Sequence, residues 1–160
     1  MASRSSRARL RLALVVSVAA ALAALAPSAF ASSPVVPIHL EKTCGGPLNS
    51  DDTSRCTITD SDSSLVPDGS TLRYDGVPLD GSGWELNSGV VLTTYDGSWN
   101  VIGTAPGHCT FSWNKLIGAC TFGPGTGTLA TLRATFHDVL TDFVPEPLTV
   151  TFALDGTYRT

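Results

Sequence analysis

The sequence predicts an all-β protein in which about eight short strands close into a single antiparallel barrel. Turn-forming pairs such as Asp68-Gly69, Asp96-Gly97 and Asp155-Gly156 recur at short intervals along the chain, and such pairs bend the backbone sharply. The segments between them are rich in threonine, valine, leucine and aromatic residues, which suit a pleated, half-buried surface. Evenly spaced short strands are typical of a barrel or a β-sandwich. We favour the barrel because closure leaves no unpaired edge strand, and the sandwich remains the alternative.

The clearest strands lie near the C-terminus. In residues 147–158 every second side chain is apolar, from Leu148 to Leu154, which is the period of a strand with one face in a core. Residues 129–140 alternate in the same way until Asp138 interrupts the apolar set. The other predicted strands are residues 54–59, 70–74, 83–86 continuing through 90–94, 98–104, 107–113 and 116–122.

The first 31 residues predict a secretory signal peptide, and therefore a secreted, extracellular protein. Four arginines precede an apolar run at residues 12–26, and Ala29 and Ala31 are the small residues that cleavage requires. A membrane-spanning helix needs about 20 apolar residues, and this run is shorter. Cleavage after Ala31 removes Arg4, Arg7, Arg9 and Arg11 and changes the formal charge from −4 to −8.

The predicted mature protein is acidic, so we do not expect it to bind negatively charged macromolecules. Phosphate backbones require a basic surface, so nucleic acid is excluded as a partner, and no membrane contact is expected once the signal is removed. The mature chain is predicted to begin with an irregular lead-in at residues 32–52, because prolines and the Gly45-Gly46 pair punctuate it. The barrel domain then spans residues 53–160.

The four cysteines predict two disulfides, since an even number in an exported protein is typically oxidised. Four cysteines allow three pairings, and we expect the two local ones, Cys44 with Cys56 and Cys109 with Cys120. The second pairing fits a hairpin, because it also places Phe111 opposite Gly118. The cysteine spacings are too long for a zinc motif and the three histidines are scattered. We expect no metal and no cofactor.

A set of short motifs resembles the allene oxide cyclase-like barrel superfamily, which includes the dirigent proteins and uncharacterised bacterial secreted proteins. The turn Gly-Pro-Gly-Thr-Gly-Thr-Leu-Ala at residues 123–130 is similar to the glycine-rich turn of that superfamily. The motifs in the order found in its secreted branch are Cys-Thr-Ile at 56–58, Val-Pro-Asp-Gly-Ser at 66–70, Gly-His-Cys at 107–109, Cys-Thr-Phe at 120–122 and Asp-Gly-Thr-Tyr at 155–158.

The resemblance implies an eight-stranded antiparallel barrel with one end open to a cavity. Pro124 stands where the superfamily usually has glycine, and Thr131-Leu132 replaces a glycine and an aromatic residue. No catalytic residue of the plant enzymes aligns with a residue of this chain. The resemblance therefore implies a scaffold, and a fold does not determine a function.

Asp138 is the candidate catalytic residue. If its strand alternates without a bulge, its carboxyl group faces the barrel interior or the rim, where a dry environment suits general acid–base chemistry. The competing interpretation is that strand pairing ends near residue 137 and that Asp138 is a solvated residue at a strand end.

Trp84, Trp99 and Trp113 are candidate wall residues for an apolar ligand, although aromatic residues in a small β-protein are commonly plain core. A barrel of about eight strands either fills itself with side chains or holds one small ligand. Three hypotheses follow: a module that binds a small, largely apolar molecule in its cavity, a cavity enzyme of the isomerase or cyclase type, or a structural protein with a filled barrel.

Overall fold

A computed structural model of the protein describes residues 33–46, 54–75 and 85–160. The predicted signal peptide and Trp84 lie outside the described residues, as does part of the predicted lead-in. The described ranges contain no helix that is long and apolar enough to span a membrane. Their strands are β1 Val36–Gly45, β2 Arg55–Ser61, β3 Thr71–Tyr74, β4 Glu85–Tyr95, β5 Val101–Ser112, β6 Ile117–Phe122, β7 Thr126–Gly127, β8 Arg133–Pro145 and β9 Leu148–Arg159.

The strands form a closed antiparallel barrel, as predicted. Eight of them follow one another in the order β4-β3-β2-β1-β9-β8-β6-β5, and pairing of β4 with β5 closes the ring. The short strand β7 is an addition that pairs only with β5, at residues 103 and 104. Closure confirms the barrel over the sandwich, because every long strand has neighbours on both sides.

The expectation of an irregular lead-in is wrong for residues 36–45, which form β1 between β2 and β9. Its inward side chains Ile38, Leu40 and Lys42 are buried. Pro37 is tolerated because β1 pairs with β2 only from Leu40 onward, so the strand has a partner on one side at the proline. The prolines and glycines of this segment favour a loop. From Leu40 onward, however, β1 pairs with strands on both sides, and this pairing outweighs the local preference.

Three phenylalanines each lie directly opposite a glycine on the neighbouring strand. Gly107 pairs with Phe122, Gly118 with Phe111 and Gly156 with Phe136. In each pair a methyl group on the glycine would collide with the opposite ring. Because these glycines have no side chain, the three large rings fit against the inner face of the barrel.

One end of the barrel, where β1 begins, is covered by apolar side chains from loops. Val66 comes from the β2–β3 connection, while Leu129 and Leu132 come from the turn that precedes β8, and all three are buried. Residues 129–131 therefore belong to a turn and not to the strand predicted from residue 129, and β8 continues beyond residue 140 to Pro145. At the opposite end, the turns at residues 113–116 and 146–147 connect their strands.

Both predicted disulfides are present. Cys44 lies directly opposite Cys56 and Cys109 directly opposite Cys120, with Cα–Cα distances of 4.1 and 4.2 Å. The predicted pairing of Phe111 with Gly118 is confirmed. The hairpin turn comprises residues 113–116, because strand pairing ends at Ser112 and Ile117.

Removing the disulfides tests their contribution to stability. We expect the double variants Cys44→Ala/Cys56→Ala and Cys109→Ala/Cys120→Ala each to lose about 3 kcal/mol in free energy of unfolding, because each bridge constrains a loop of about a dozen residues in the unfolded chain. The second variant should lose more, since Cys109 and Cys120 are fully buried and their loss leaves a cavity. Urea denaturation measures both, and equal or negligible losses would contradict this account.

A histidine–aspartate pair joins β1 to β9 on the outer surface. His39 Nδ1 lies 2.7 Å from Asp155 Oδ1, and the main-chain N–H of His39 donates to Asp62 Oδ1 at 2.9 Å. The hydrogen bond with Asp155 raises the pKa of His39 above its usual value of 6.5, against a smaller opposing effect of burial. The protonated form of His39 therefore favours the folded protein.

This pair predicts a pH dependence of stability. A raised pKa in the folded state means that the stabilisation is complete below about pH 6.5 and is lost as the pH rises through the pKa of folded His39. The effect should stay within about 1 kcal/mol, as for other exposed ion pairs. NMR titration of the His39 imidazole should show a lower pKa in Asp155→Asn, and unfolding at pH 5.5 and 8 should show a weaker pH dependence. An unchanged His39 titration in that variant would refute the assignment.

Candidate ligand site inside the barrel

Asp138 faces the barrel interior. It continues the inward series of Ala134 and Phe136 on β8, lies opposite Gly118 on β6 and Leu154 on β9, and is 1% exposed. Strand pairing continues well past it, so the interpretation as a solvated strand-end residue is wrong. Because Gly118 has no side chain, the ring of Phe111 occupies the space across from Asp138.

Lys42 is the partner of Asp138. Its Nζ lies 2.5 Å from Asp138 Oδ2 and donates a second hydrogen bond to Tyr74 Oη at 3.1 Å. Lys42 is 1% exposed, and its ammonium group also lies 4.7 Å from the centre of the Phe152 ring, which is a cation–π distance. We call Lys42, Tyr74 and Asp138 the interior polar cluster.

Three separate strands supply the interior polar cluster. Lys42 lies on β1 directly opposite Phe152 of β9, Tyr74 ends β3, and Asp138 lies on β8. The lysine side chain is long enough to run along apolar neighbours and place its charged end between the other two residues. The cluster therefore exists only because the sheet curls round and closes.

The charge state of Lys42 follows from its surroundings. Burial lowers the pKa of a lysine, but the interactions of Lys42 with Tyr74 and Asp138, including a hydrogen bond to each, outweigh burial, so that the pKa of Lys42 is raised. The ammonium form is thus maintained at physiological pH. Within the ranges that the structure describes, Lys42 and Asp138 are the buried residues that carry formal charge.

One oxygen of Asp138 has no hydrogen-bond partner. Oδ1 is buried and receives no donor from any described residue. Near Oδ2, the sulfur of Cys120 lies at 4.0 Å, but a disulfide sulfur has no hydrogen to donate, so this is a packing contact. A buried carboxylate oxygen without a donor costs about 1–3 kcal/mol or more. The cluster is therefore incomplete in hydrogen bonding.

Aromatic rings surround the cluster on one side. Phe111 and Phe152 are 5.1 Å apart between ring centres, and Trp113 lies 5.1 Å from Phe111 and 6.3 Å from Phe152. The edge-to-face arrangement of these rings is favourable. The indole Nε1 of Trp113 is buried, and it finds no acceptor among the described residues. The described residues thus leave two buried polar atoms unpaired, Nε1 of Trp113 and Oδ1 of Asp138.

Trp99 has a different position. It lies in the β4–β5 turn, is 72% exposed and has a φ of 64°. Its ring contacts Tyr95 at 5.9 Å and does not line the interior. Of the three predicted tryptophans, the structure therefore places Trp113 beside Phe111 and Phe152, leaves Trp99 on the surface and does not describe Trp84.

Sequence reasoning missed Lys42 and Tyr74. A signal for Lys42 existed, because Ile38, Leu40, Lys42 and Cys44 alternate with more polar residues. The prolines and glycines around this segment indicated a loop, and the alternation was therefore not used. Tyr74 lies at the end of the predicted strand 70–74, and nothing local in its sequence indicates contact with a lysine.

Other features of the surface do not coincide with the cluster. Two shallow depressions lie near residues 61–68 and beside Ile102, and neither is lined by a cluster residue. In the described part of the chain, no three histidine, cysteine or acidic side chains are placed together so as to hold a metal ion. Comparisons with protein families, with curated protein sequences and with solved structures find no match for this chain.

Substitutions of the ion pair test its energetics. We expect Lys42→Met or Asp138→Leu alone to lower the free energy of unfolding by about 3–5 kcal/mol, because each leaves a buried charge without its partner. The double variant should recover most of this loss, since two apolar side chains of similar size require no pairing. Urea denaturation of all four proteins measures the coupling, with exposed Asp142→Asn on the same strand as a control that should change stability by less than about 0.5 kcal/mol. Additive losses in the double variant would contradict a buried ion pair.

Proposed function

We propose that this protein is a binding module that holds a small, largely apolar molecule in the barrel interior, at the interior polar cluster. The observation that carries the proposal is the unpaired, buried Oδ1 of Asp138. The other oxygen of this carboxylate binds the ammonium group of Lys42, which lies against the Phe152 ring. Binding sites for small molecules are typically apolar, with a few polar groups that orient the ligand.

The energetics of the cluster favour binding over a purely structural role. Replacing a buried ion pair by well-packed apolar residues is often neutral or stabilising, so a barrel that serves only as a scaffold gains little from Lys42 and Asp138. An unpaired carboxylate oxygen makes the cost larger. A ligand that donates to this oxygen would offset the cost, which gives the cluster a physical reason to exist.

The proposal includes the compartment and the family. Two disulfides are typical of an oxidising environment, and together with the signal-like residues 1–31 they support secretion. The motif order supports membership of the allene oxide cyclase-like superfamily. The closed eight-stranded barrel agrees with the fold that this resemblance implies.

A cavity enzyme of the isomerase or cyclase type is the second candidate. The observation that favours it is that the unpaired Oδ1 of Asp138 and the ammonium group of Lys42 lie together in a dry interior. A carboxylate that lacks a donor is placed to accept a proton from a bound substrate. Turnover of a bound molecule, abolished in Asp138→Asn, would distinguish the enzyme from the binding module.

Native mass spectrometry tests binding directly. The purified protein is examined as isolated and after incubation with cyclohexanol, indole and naphthalene as uncharged ring probes. We expect a one-to-one complex with at least one probe, and loss of that complex in Lys42→Met/Asp138→Leu, whose interior is apolar and filled. Trp99→Ala is the matched control and should bind like the wild type, because Trp99 is on the surface. If no probe binds and no small molecule is retained on purification, a filled structural barrel is the better account.

A further inference from the structure

Building on the proposed function, we propose that the interior site selects uncharged molecules that carry a hydroxyl group, and that this group donates its hydrogen to Asp138 Oδ1. The inference depends on the charge balance of the site and on two unpaired polar atoms.

The charge balance determines the charge of the ligand. The ammonium group of Lys42 and the carboxylate of Asp138 cancel, and no further buried charged side chain is found among the described residues. A carboxylate or ammonium ligand would therefore add an uncompensated charge to a dry interior, which is strongly unfavourable. An uncharged ligand keeps the balance.

The unpaired atoms determine the polar group. An ionised carboxylate only accepts hydrogen bonds, so Oδ1 of Asp138 requires a donor. An indole N–H only donates, so Nε1 of Trp113 requires an acceptor. A hydroxyl group does both, whereas a ketone or an ether only accepts and a hydrocarbon does neither.

The Phe152 ring lies beside both Lys42 of the interior polar cluster and the ring of Trp113. The ammonium group bonded to Asp138 lies 4.7 Å from the centre of the Phe152 ring, and the Trp113 ring centre lies 6.3 Å from it. An apolar ligand body packed on the Phe152 ring would thus place its polar group near the pair of Lys42 and Asp138.

A matched set of ligands tests the selection. The set consists of cyclohexanol, cyclohexanone, methylcyclohexane, cyclohexanecarboxylate and cyclohexylammonium, which share one ring and differ in a single group. We expect cyclohexanol to bind at least tenfold more tightly than cyclohexanone or methylcyclohexane at pH 7, as measured by calorimetry or ligand-observed NMR. The two charged compounds should show at least a hundredfold weaker binding than cyclohexanol.

Conservative variants link the selection to the two atoms. Trp113→Phe keeps an aromatic ring and removes the N–H, and it should weaken cyclohexanol binding severalfold more than it weakens methylcyclohexane binding. Asp138→Asn leaves an amide in place of the carboxylate and should reduce the preference for cyclohexanol over cyclohexanone. Trp99→Phe is the matched control and should change neither affinity. Far-UV circular dichroism of each variant verifies that the barrel remains folded.

The outcomes separate this inference from the proposed function. Binding of the ring compounds without a preference for the alcohol, or tightest binding of a charged one, would overturn the inference and leave the binding module intact. Binding of none of the five, with a water molecule as the only occupant of the site, would overturn both.

Discussion

Closure of the sheet by pairing of β4 with β5 is the constraint on which the rest of the structure depends. Register pairs run from Glu85 with Ser112 to Tyr95 with Val101 and join the two ends of an otherwise open sheet. An open sheet of this size exposes one face unless another layer covers it. Closure instead converts the inner face into an interior shared by all eight strands, and it brings Tyr74 of β3 and Asp138 of β8 to a single lysine of β1.

The interior has an apolar region and a region that contains the interior polar cluster. Around Phe122 and Phe136, and toward the end where β1 begins, most buried side chains are apolar, and loops contribute Val66, Leu129 and Leu132. The buried hydroxyl groups of Ser70 and Thr94 donate to main-chain oxygens. Around Phe152 the apolar packing gives way to the interior polar cluster. The two regions have different consequences, because burial of apolar surface is the main stabilising term, whereas a buried ion pair contributes little net stability. The first region accounts for folding, and the second is the part that folding alone does not require.

Local patterns predicted much of this architecture. The alternation of residues 148–158 and the turn pairs identified β9 and most other strands, and cysteine spacing together with hairpin register identified both disulfides. β1 was missed because prolines and glycines indicate loops when only near neighbours are considered. The start of β8 was placed too early because Ala130 and Leu132 continue the alternation of Ala134 and Phe136. In the structure the turn that carries the buried Leu129 and Leu132 covers the end of the barrel.

The sequence by itself determined the all-β class and the disulfide pairing, because these depend on periodicity and on contacts between residues near in the chain. Only the tertiary structure decided that Asp138 faces inward and what it meets. Lys42, Tyr74 and Asp138 lie on three strands distant in sequence, and no local pattern relates residues that touch only after the ring closes. The same reason explains why Trp113 and Trp99 have different surroundings. Each lies in a turn next to β5, but Trp113 packs against the interior rings, whereas Trp99 projects into solvent.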